Sequence, residues 1–164
     1  FNTEEFNELC NMIGLGALKF FLLRVDPKKR MIFNPDESID FHGFTGPFIQ
    51  YTHARIKSVL RKVGVVNFTH LSEKELLPLE KELIKQMEIF PAAIQEAANE
   101  HDPSKLAVYI YNLAKTFNGF YAEHSIANAE TGIKKELRLA IAALCAHTIK
   151  TAMQLLGIKV PERM

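Results

Sequence analysis

Between residues 45 and 156, apolar side chains return at every third or fourth position along four successive stretches, with proline, glycine or aspartate near their boundaries. This matches the 3.6-residue turn of an α-helix and not the alternation of a half-buried strand. Ile49, Ile56, Val59, Leu60 and Val63 trace the first stretch, and Leu76, Leu79, Leu83, Met87, Phe90, Ile94 and Ala97 the second. Leu106, Ile110, Leu113, Phe117 and Phe120 trace the third, and Leu137, Ile141, Leu144, Thr148, Ala152 and Leu155 the fourth. At least four long amphipathic helices with short connections predict an all-α helical bundle.

Local chemistry sets the boundaries. Thr45, Gly46 and Pro47 start a helix that should reach Gly64, because proline at a first helical position has its φ preset and loses no useful donor. Ser72 and Glu75 form a capping-box pattern, with Leu71 and Leu76 as a staple, and Pro78 and Pro91 should bend or segment the helix that follows. Asp102 and Pro103 begin the third helix. A loop over residues 124–131 precedes the last helix, residues 133–156, which Gly157 caps before a short tail. Ahead of these, Thr3 starts a helix that Gly14 and Gly16 should interrupt before a second apolar run over residues 17–25, and Met31, Ile32 and Phe33 read as a short extended stretch. Residues 1–46 show no core of their own. They read as a connecting region, and residues 47–164 as the bundle.

Composition narrows the class. With 164 residues, 48% hydrophobic, 24% charged, 8 Gly and 7 Pro, the chain is neither collagen-like nor disordered. A chain of this size buries roughly 70% of its unfolded surface. No apolar run approaches the roughly 18 to 20 residues of a membrane span, and no signal-peptide pattern opens the chain, so neither is expected. The net charge is +1, but residues 53–62 hold four cations and no acid, residues 72–102 eight acids against three lysines, and residues 134–164 six cations against two acids. Two distant cysteines, Cys10 and Cys145, suit a reducing compartment and a cytoplasmic location. Phe1 lies inside helical sequence, which reads as the start of a fragment.

Catalytic signatures fail. There is no Walker loop, dinucleotide fingerprint, His-Glu-x-x-His, Gly-x-Ser-x-Gly or paired-cysteine site, and six scattered histidines form no i, i+4 pair, so no catalytic or metal residue is expected. Gly43-Phe44-Thr45-Gly46 superficially matches a phosphate-clamping Gly-x-x-Gly but lacks a cation, and a turn feeding Pro47 is the simpler reading. Residues 45–62, TGPFIQYTHARIKSVLRK, place aromatics and cations on adjacent turns. Aromatic faces stack unpaired bases and Arg or Lys holds phosphates. The same pattern is produced by Phe48 and Tyr51 in a core, with Gln50, His53, Lys57 and Arg61 on an ordinary solvated face. Phe117, Asn118, Phe120 and Tyr121 carry the same two readings, with Tyr121 at a helix end.

Residues 14–23, GLGALKFFLL, with TGPFIQYTHARI at 45–56, YIYNLAKTFNGFY at 109–121, LRLAIA and the ending GIKVPERM, resemble in order the C-terminal part of arginyl-tRNA synthetases. The resemblance covers essentially the whole chain. It implies that residues 1–46 are the end of the catalytic region and its connection, and residues 47–164 an anticodon-binding helical bundle. Both class I hallmarks, the HIGH-like and KMSKS-like sequences, are absent, so the resemblance implies a C-terminal fragment inactive alone. The parent would be an arginine-tRNA ligase using ATP and Mg²⁺, with no cofactor in this stretch. The implied partners are tRNA(Arg) and the parent's catalytic domain, with neither membrane nor DNA. Phe48, Tyr51, Arg55, Tyr121 and Met164 would lie near the anticodon stem and loop, and Arg55, Lys57 and Arg61 would neutralise phosphates. Phe48 stands where the family often has tyrosine, and Ser125 where some members carry tryptophan. The competing readings are a protein-interaction bundle without RNA affinity, and the anticodon domain of a cysteinyl- or methionyl-type synthetase.

Overall fold

The computed structural model describes residues 2–63 and 75–164. These residues form α1 (Thr3–Leu23), α2 (Pro35–Ser38), α3 (Gly46–Val63), α4 (Pro78–Glu88), α5 (Phe90–Glu100), α6 (Pro103–Glu123) and α7 (Gly132–Leu155), and no strand occurs among them. The all-α bundle expected from the periodicity is the architecture observed. Residues 31–34 are irregular rather than a strand, and the Phe33 ring meets Phe21 edge-on at 5.2 Å.

α7 is central and packs on α3, α4 and α6. It buries Leu137, Leu139, Ile141, Ala142, Cys145, Ala146, Ile149, Ala152 and Met153, a face wider than one stripe. Two residues expected inside are not: Leu144 and Leu155 share an outward strip with His147, and Cys145, Ile149 and Leu156 take the inner places. At 3.6 residues per turn, Leu144 and Leu155 stand three turns apart on one side of the helix. In α6, Leu106, Ile110, Leu113, Phe117 and Phe120 are all buried as the spacing predicts.

The prolines start helices rather than bend one. Pro78 opens α4 and Pro91 stands in the first turn of α5, with only Ile89 between the two helices. Residues 75–77 are non-helical, so the start expected near Ser72 is displaced to Pro78, while Ser72 and Leu71 lie outside the described residues. The Leu77 N–H donates to the Glu80 carboxylate at 2.9 Å, occupying one donor at the helix start. Asp102 caps α6 through the Ser104 N–H, as expected.

α1 runs unbroken through both glycines. Asn2 and Glu5 form a reciprocal capping box at its start, with bonds of 2.8 and 2.9 Å. A glycine inside a helix costs about 1 kcal/mol relative to alanine, so an interruption is the natural expectation. Close packing offsets it here. A Cβ on Gly16 would stand 2.4 Å from Gln50 Nε2, and one on Gly46 would stand 2.7 Å from the Gly16 carbonyl oxygen. The two glycines let the backbones of α1 and α3 approach where side chains would hold them apart. Phe20 joins the core built by α3, α6 and α7, so one core spans the sequence on both sides of residue 46. Being continuous, α1 is also long and apolar enough to cross a membrane by length and composition, a property that a break at the glycines would remove. Its Gly16, Ala17, Phe20 and Phe21 side is buried in the bundle.

Gly46→Ala should therefore lose about 1 to 3 kcal/mol of folding free energy, because the obstructing atom is backbone. Gly14, with nothing within 4 Å of its added Cβ, is the control. Gly14→Ala should gain roughly 0.5 to 1 kcal/mol. Denaturant midpoints of the two variants check both signs.

Candidate nucleic-acid interface

α7 ends as expected at Gly157, whose φ of 69° is left-handed. The Gly157 N–H donates to the Gln154 carbonyl and the Ile158 N–H to the Met153 carbonyl, each at 2.9 Å, which is the Schellman pattern. Lys19 Nζ holds the Gly157 carbonyl at 2.7 Å. Residues 158–164 then follow α3. Gln50 Nε2 donates to the Lys159 carbonyl at 2.8 Å and to Met12 of α1 at 3.2 Å. One turn on, His53 Nδ1 donates to the Pro161 carbonyl at 2.8 Å. Lys57 pairs with the Glu162 carboxylate at 3.1 Å, and Arg61 Nη1 donates to the Glu162 carbonyl at 2.8 Å. Lys150 of α7 stands 3.5 Å from Glu162.

This corrects the expected solvated stripe of Gln50, His53, Lys57 and Arg61. Its first two members are 0% and 1% exposed, because α1 and the tail cover them and the tail carbonyls take a hydrogen bond from Gln50 Nε2 and from His53 Nδ1. A buried polar side chain needs such partners. Gln50 Oε1 is buried without one among the described residues.

Beyond the tail lies a cleft of about 840 Å³. α3 contributes Tyr51, Arg55, Arg61 and Lys62, the end of α6 and the following loop contribute Tyr121, Ser125 and Ile126, and the tail contributes Arg163 and Met164. Ala54, Ser58, Ala122 and Ala127 keep it open by being small. Arg55 is fixed between two of the lining rings: Nη1 donates to Asn118 Oδ1 at 2.7 Å, and the guanidinium lies 4.7 Å from the Tyr51 ring centroid and 5.4 Å from that of Tyr121. Asn118 in turn donates to Thr52 Oγ1 at 2.8 Å, and Thr52 to the Phe48 carbonyl at 2.9 Å. Tyr51 and Tyr121 remain 41% and 39% exposed, although Tyr121 stacks on buried Phe117 and Tyr51 meets Phe41 edge-on.

The loop wall is anchored from behind. Buried Arg138 reaches the Ser125 carbonyl at 2.7 Å, Glu80 at 2.9 Å and Glu130 at 2.8 Å. Glu80, fully buried on α4, also receives Lys134 at 3.0 Å. Burial alone would push its carboxyl up, but the hydrogen bonds from Arg138, the Leu77 N–H and Lys134 outweigh it and hold the pKa below the usual value. Such a pair tolerates burial only when every partner is in place.

Of the residues singled out from sequence, the structure brings Tyr51, Arg55, Arg61, Tyr121 and Met164 to one cleft. Lys57 lies behind it on Glu162, and Phe48 is half-buried against Tyr111 with ring centroids 5.5 Å apart, away from the lining. Sequence reasoning missed Lys62 and Arg163 as lining, and Gln50 and His53 as holders of the tail. Their signal was present only as donors spaced three apart, and nothing local pairs them with carbonyls more than a hundred residues away. Among the described residues no three His, Cys, Asp or Glu side chains are grouped to hold a metal ion.

Burial lowers the His53 pKa below 6.5, outweighing the bond to Pro161 and nearby Glu162, which act the other way, while Lys57 and Lys150 add to the lowering. A histidine whose folded-state pKa is depressed is bound by more protons when unfolded, so its contribution to stability is complete above about pH 6.5 and is lost as pH falls through the folded value. His53→Asn should flatten the dependence of unfolding free energy on pH between about 7 and 5. Equal slopes for both proteins would contradict this.

A family model described as the DALR anticodon binding domain matches residues 49–164. The arginine-tRNA ligase of Flavobacterium psychrophilum is 54% identical over 164 residues, covering 100% of this chain and 27% of its own. That of Amoebophilus asiaticus is 48% identical, covering 100% and 28%. The solved arginyl-tRNA synthetase of Thermus thermophilus superposes with a TM-score of 0.85 at 36% identity, over 93% of this chain and 27% of its own, and that of Plasmodium falciparum with 0.82 at 26%, over 96% and 28%. The chain thus spans about a quarter of the length of these relatives. With the family model covering everything from Ile49 onward, on a helical frame that the solved relatives share, the chain belongs to the DALR anticodon-binding domain family.

Proposed function

We propose that this chain binds the anticodon stem and loop of tRNA(Arg), and that the cleft between α3, the α6–α7 loop and the tail receives the splayed anticodon base. The observation that carries this is the pairing of two half-exposed tyrosines around a fixed Arg55, with Met164 at the same opening. Each ring packs on the protein from one side, Tyr121 on Phe117 and Tyr51 on Phe41, and leaves ring area open in the cleft. Arginine codons fall in two boxes whose anticodons share only a middle C. Reading that base requires groups that meet the donor and acceptors of its Watson–Crick edge. Tail backbone can supply both kinds, and a thioether can pack on the base face.

The division of charge follows from the geometry. Lys57 is already paired with Glu162, Arg55 is held by Asn118 and Arg61 spends one donor on the Glu162 carbonyl, so Lys62, exposed at the rim, is placed to meet a phosphate, with the remaining Arg61 donors beside it. The longer enzyme, as with the relatives, would join arginine to tRNA in the cytoplasm, using ATP and Mg²⁺ in a catalytic domain beside which these residues sit. With neither a HIGH-like nor a KMSKS-like sequence, the 164 residues alone would form no arginyl-adenylate, which ATP–pyrophosphate exchange on purified protein measures.

Tyr121→Ala should weaken binding of tRNA(Arg) by about 1 to 3 kcal/mol, the range for one stacked base. Its thermal midpoint should fall only modestly, since Tyr121 is 39% exposed and its ring packs on Phe117 from one side. A collapsed midpoint with normal binding by the folded fraction would return Tyr121 to the core. Lys62→Ala should lower the salt slope of binding by roughly 0.7 to 0.9 with equal effect on every tRNA tested. Lys57→Ala should lower it less, because Glu162 offsets that charge.

A further inference from the structure

The α3 stripe grips the tail by its backbone. Gln50, His53 and Arg61 donate to the carbonyls of Lys159, Pro161 and Glu162, so they fix the register of the segment whatever its side chains are. Gln50 and His53 are buried and do not line the cleft, whereas Met164, a few residues further along the same segment, does. An extended chain advances about 3.3 Å per residue, so a slip of one position would carry Met164 out of its place. Recognition of a base edge works within a hydrogen-bond window of roughly 2.7 to 3.2 Å, while attraction between a cation and a phosphate declines slowly with distance. A small loss of register therefore costs discrimination between bases before it costs general affinity.

We propose that Gln50 and His53 are positioning residues for anticodon discrimination, acting through the tail they hold. The inference rests on the reading of the cleft as the RNA site. Neither residue touches RNA. Each acts by setting how far the end of the tail reaches toward Tyr51, Arg55 and Tyr121.

The test compares the 164-residue chain with His53→Leu, which removes the donor, and His53→Asn, which keeps a donor near the position of Nδ1. Binding is measured for tRNA(Arg) and for the same tRNA with its middle C replaced by U, across salt, and methyl-labelled methionine spectra follow Met164. His53→Leu should reduce the C-over-U preference by roughly fivefold, the scale of one hydrogen bond, with the salt slope unchanged and the Met164 methyl shifted toward the free amino acid. His53→Asn should restore both. Because His53→Leu can disturb the core, Pro161→Gly is measured beside it; it keeps every α3 donor but frees the tail, and it too should lower the preference. An unchanged preference in the folded variants, or a loss that Asn does not repair, overturns the positioning role. Failure of the parent chain to bind tRNA(Arg) is a separate result and overturns the RNA reading itself, and the inference with it.

Discussion

Three tail carbonyls, from Lys159, Pro161 and Glu162, receive hydrogen bonds from Gln50, His53 and Arg61 along one side of α3, and the geometry around the cleft follows from that capture. A tail of seven residues has no secondary structure to satisfy its backbone, and each hydrogen bond is worth only about 0.5 to 1.5 kcal/mol net. Several acting on one segment hold it, helped by Pro161, whose ring limits the freedom to be lost on ordering. The capture needs two further conditions. Gly157 must turn the chain back at the end of α7, and Gly16 and Gly46 must let α1 come close enough for Gln50 to reach Met12 and Lys159 together.

With the tail in place, the cleft has walls from three distant parts of the sequence and a division of labour among its groups. Arg55 is occupied by Asn118 and flanked by two rings, so its charge organises the site and is not simply offered to solvent. The loop opposite is held by buried Arg138, whose fork is met by Glu80, Glu130 and the Ser125 carbonyl. Removing Glu80 would leave the buried Arg138 Nε without its partner while Glu130 and the Ser125 carbonyl still hold the other two nitrogens, so the same network that stabilises the bundle also holds the Ser125 side of the cleft. Rigid walls suit a site in which base edges are read at hydrogen-bond range.

Much of this was legible in the sequence, for reasons that are local. Helix periods, Pro47 and Asp102 as starts, and Gly157 as a stop depend on neighbours within a turn or two, and they gave the bundle and most of the α6 core. Where neighbours were insufficient, the reading went astray. Gly14 and Gly16 looked like a break because the close packing that compensates Gly16 lies on α3, and Gly14 is a single glycine that a long helix tolerates. Leu144 looked buried because α7 is central and apolar on several sides, so the spacing alone did not fix its phase. Gln50 and His53 looked solvated because the carbonyls that bury them belong to residues 159 and 161. Arg55 and Tyr121 could be named as candidates from the resemblance, but their shared place around one opening required the fold.

Hydrogen exchange of the chain with and without bound tRNA(Arg) tests the account most directly, since it maps contact along the backbone without altering a residue. The cleft reading predicts added protection in the last turns of α3, in residues 121–127 and in residues 159–164, with α4 and α5 unchanged. Protection confined to α4 and α5, with those three segments exchanging as in the free chain, would contradict it.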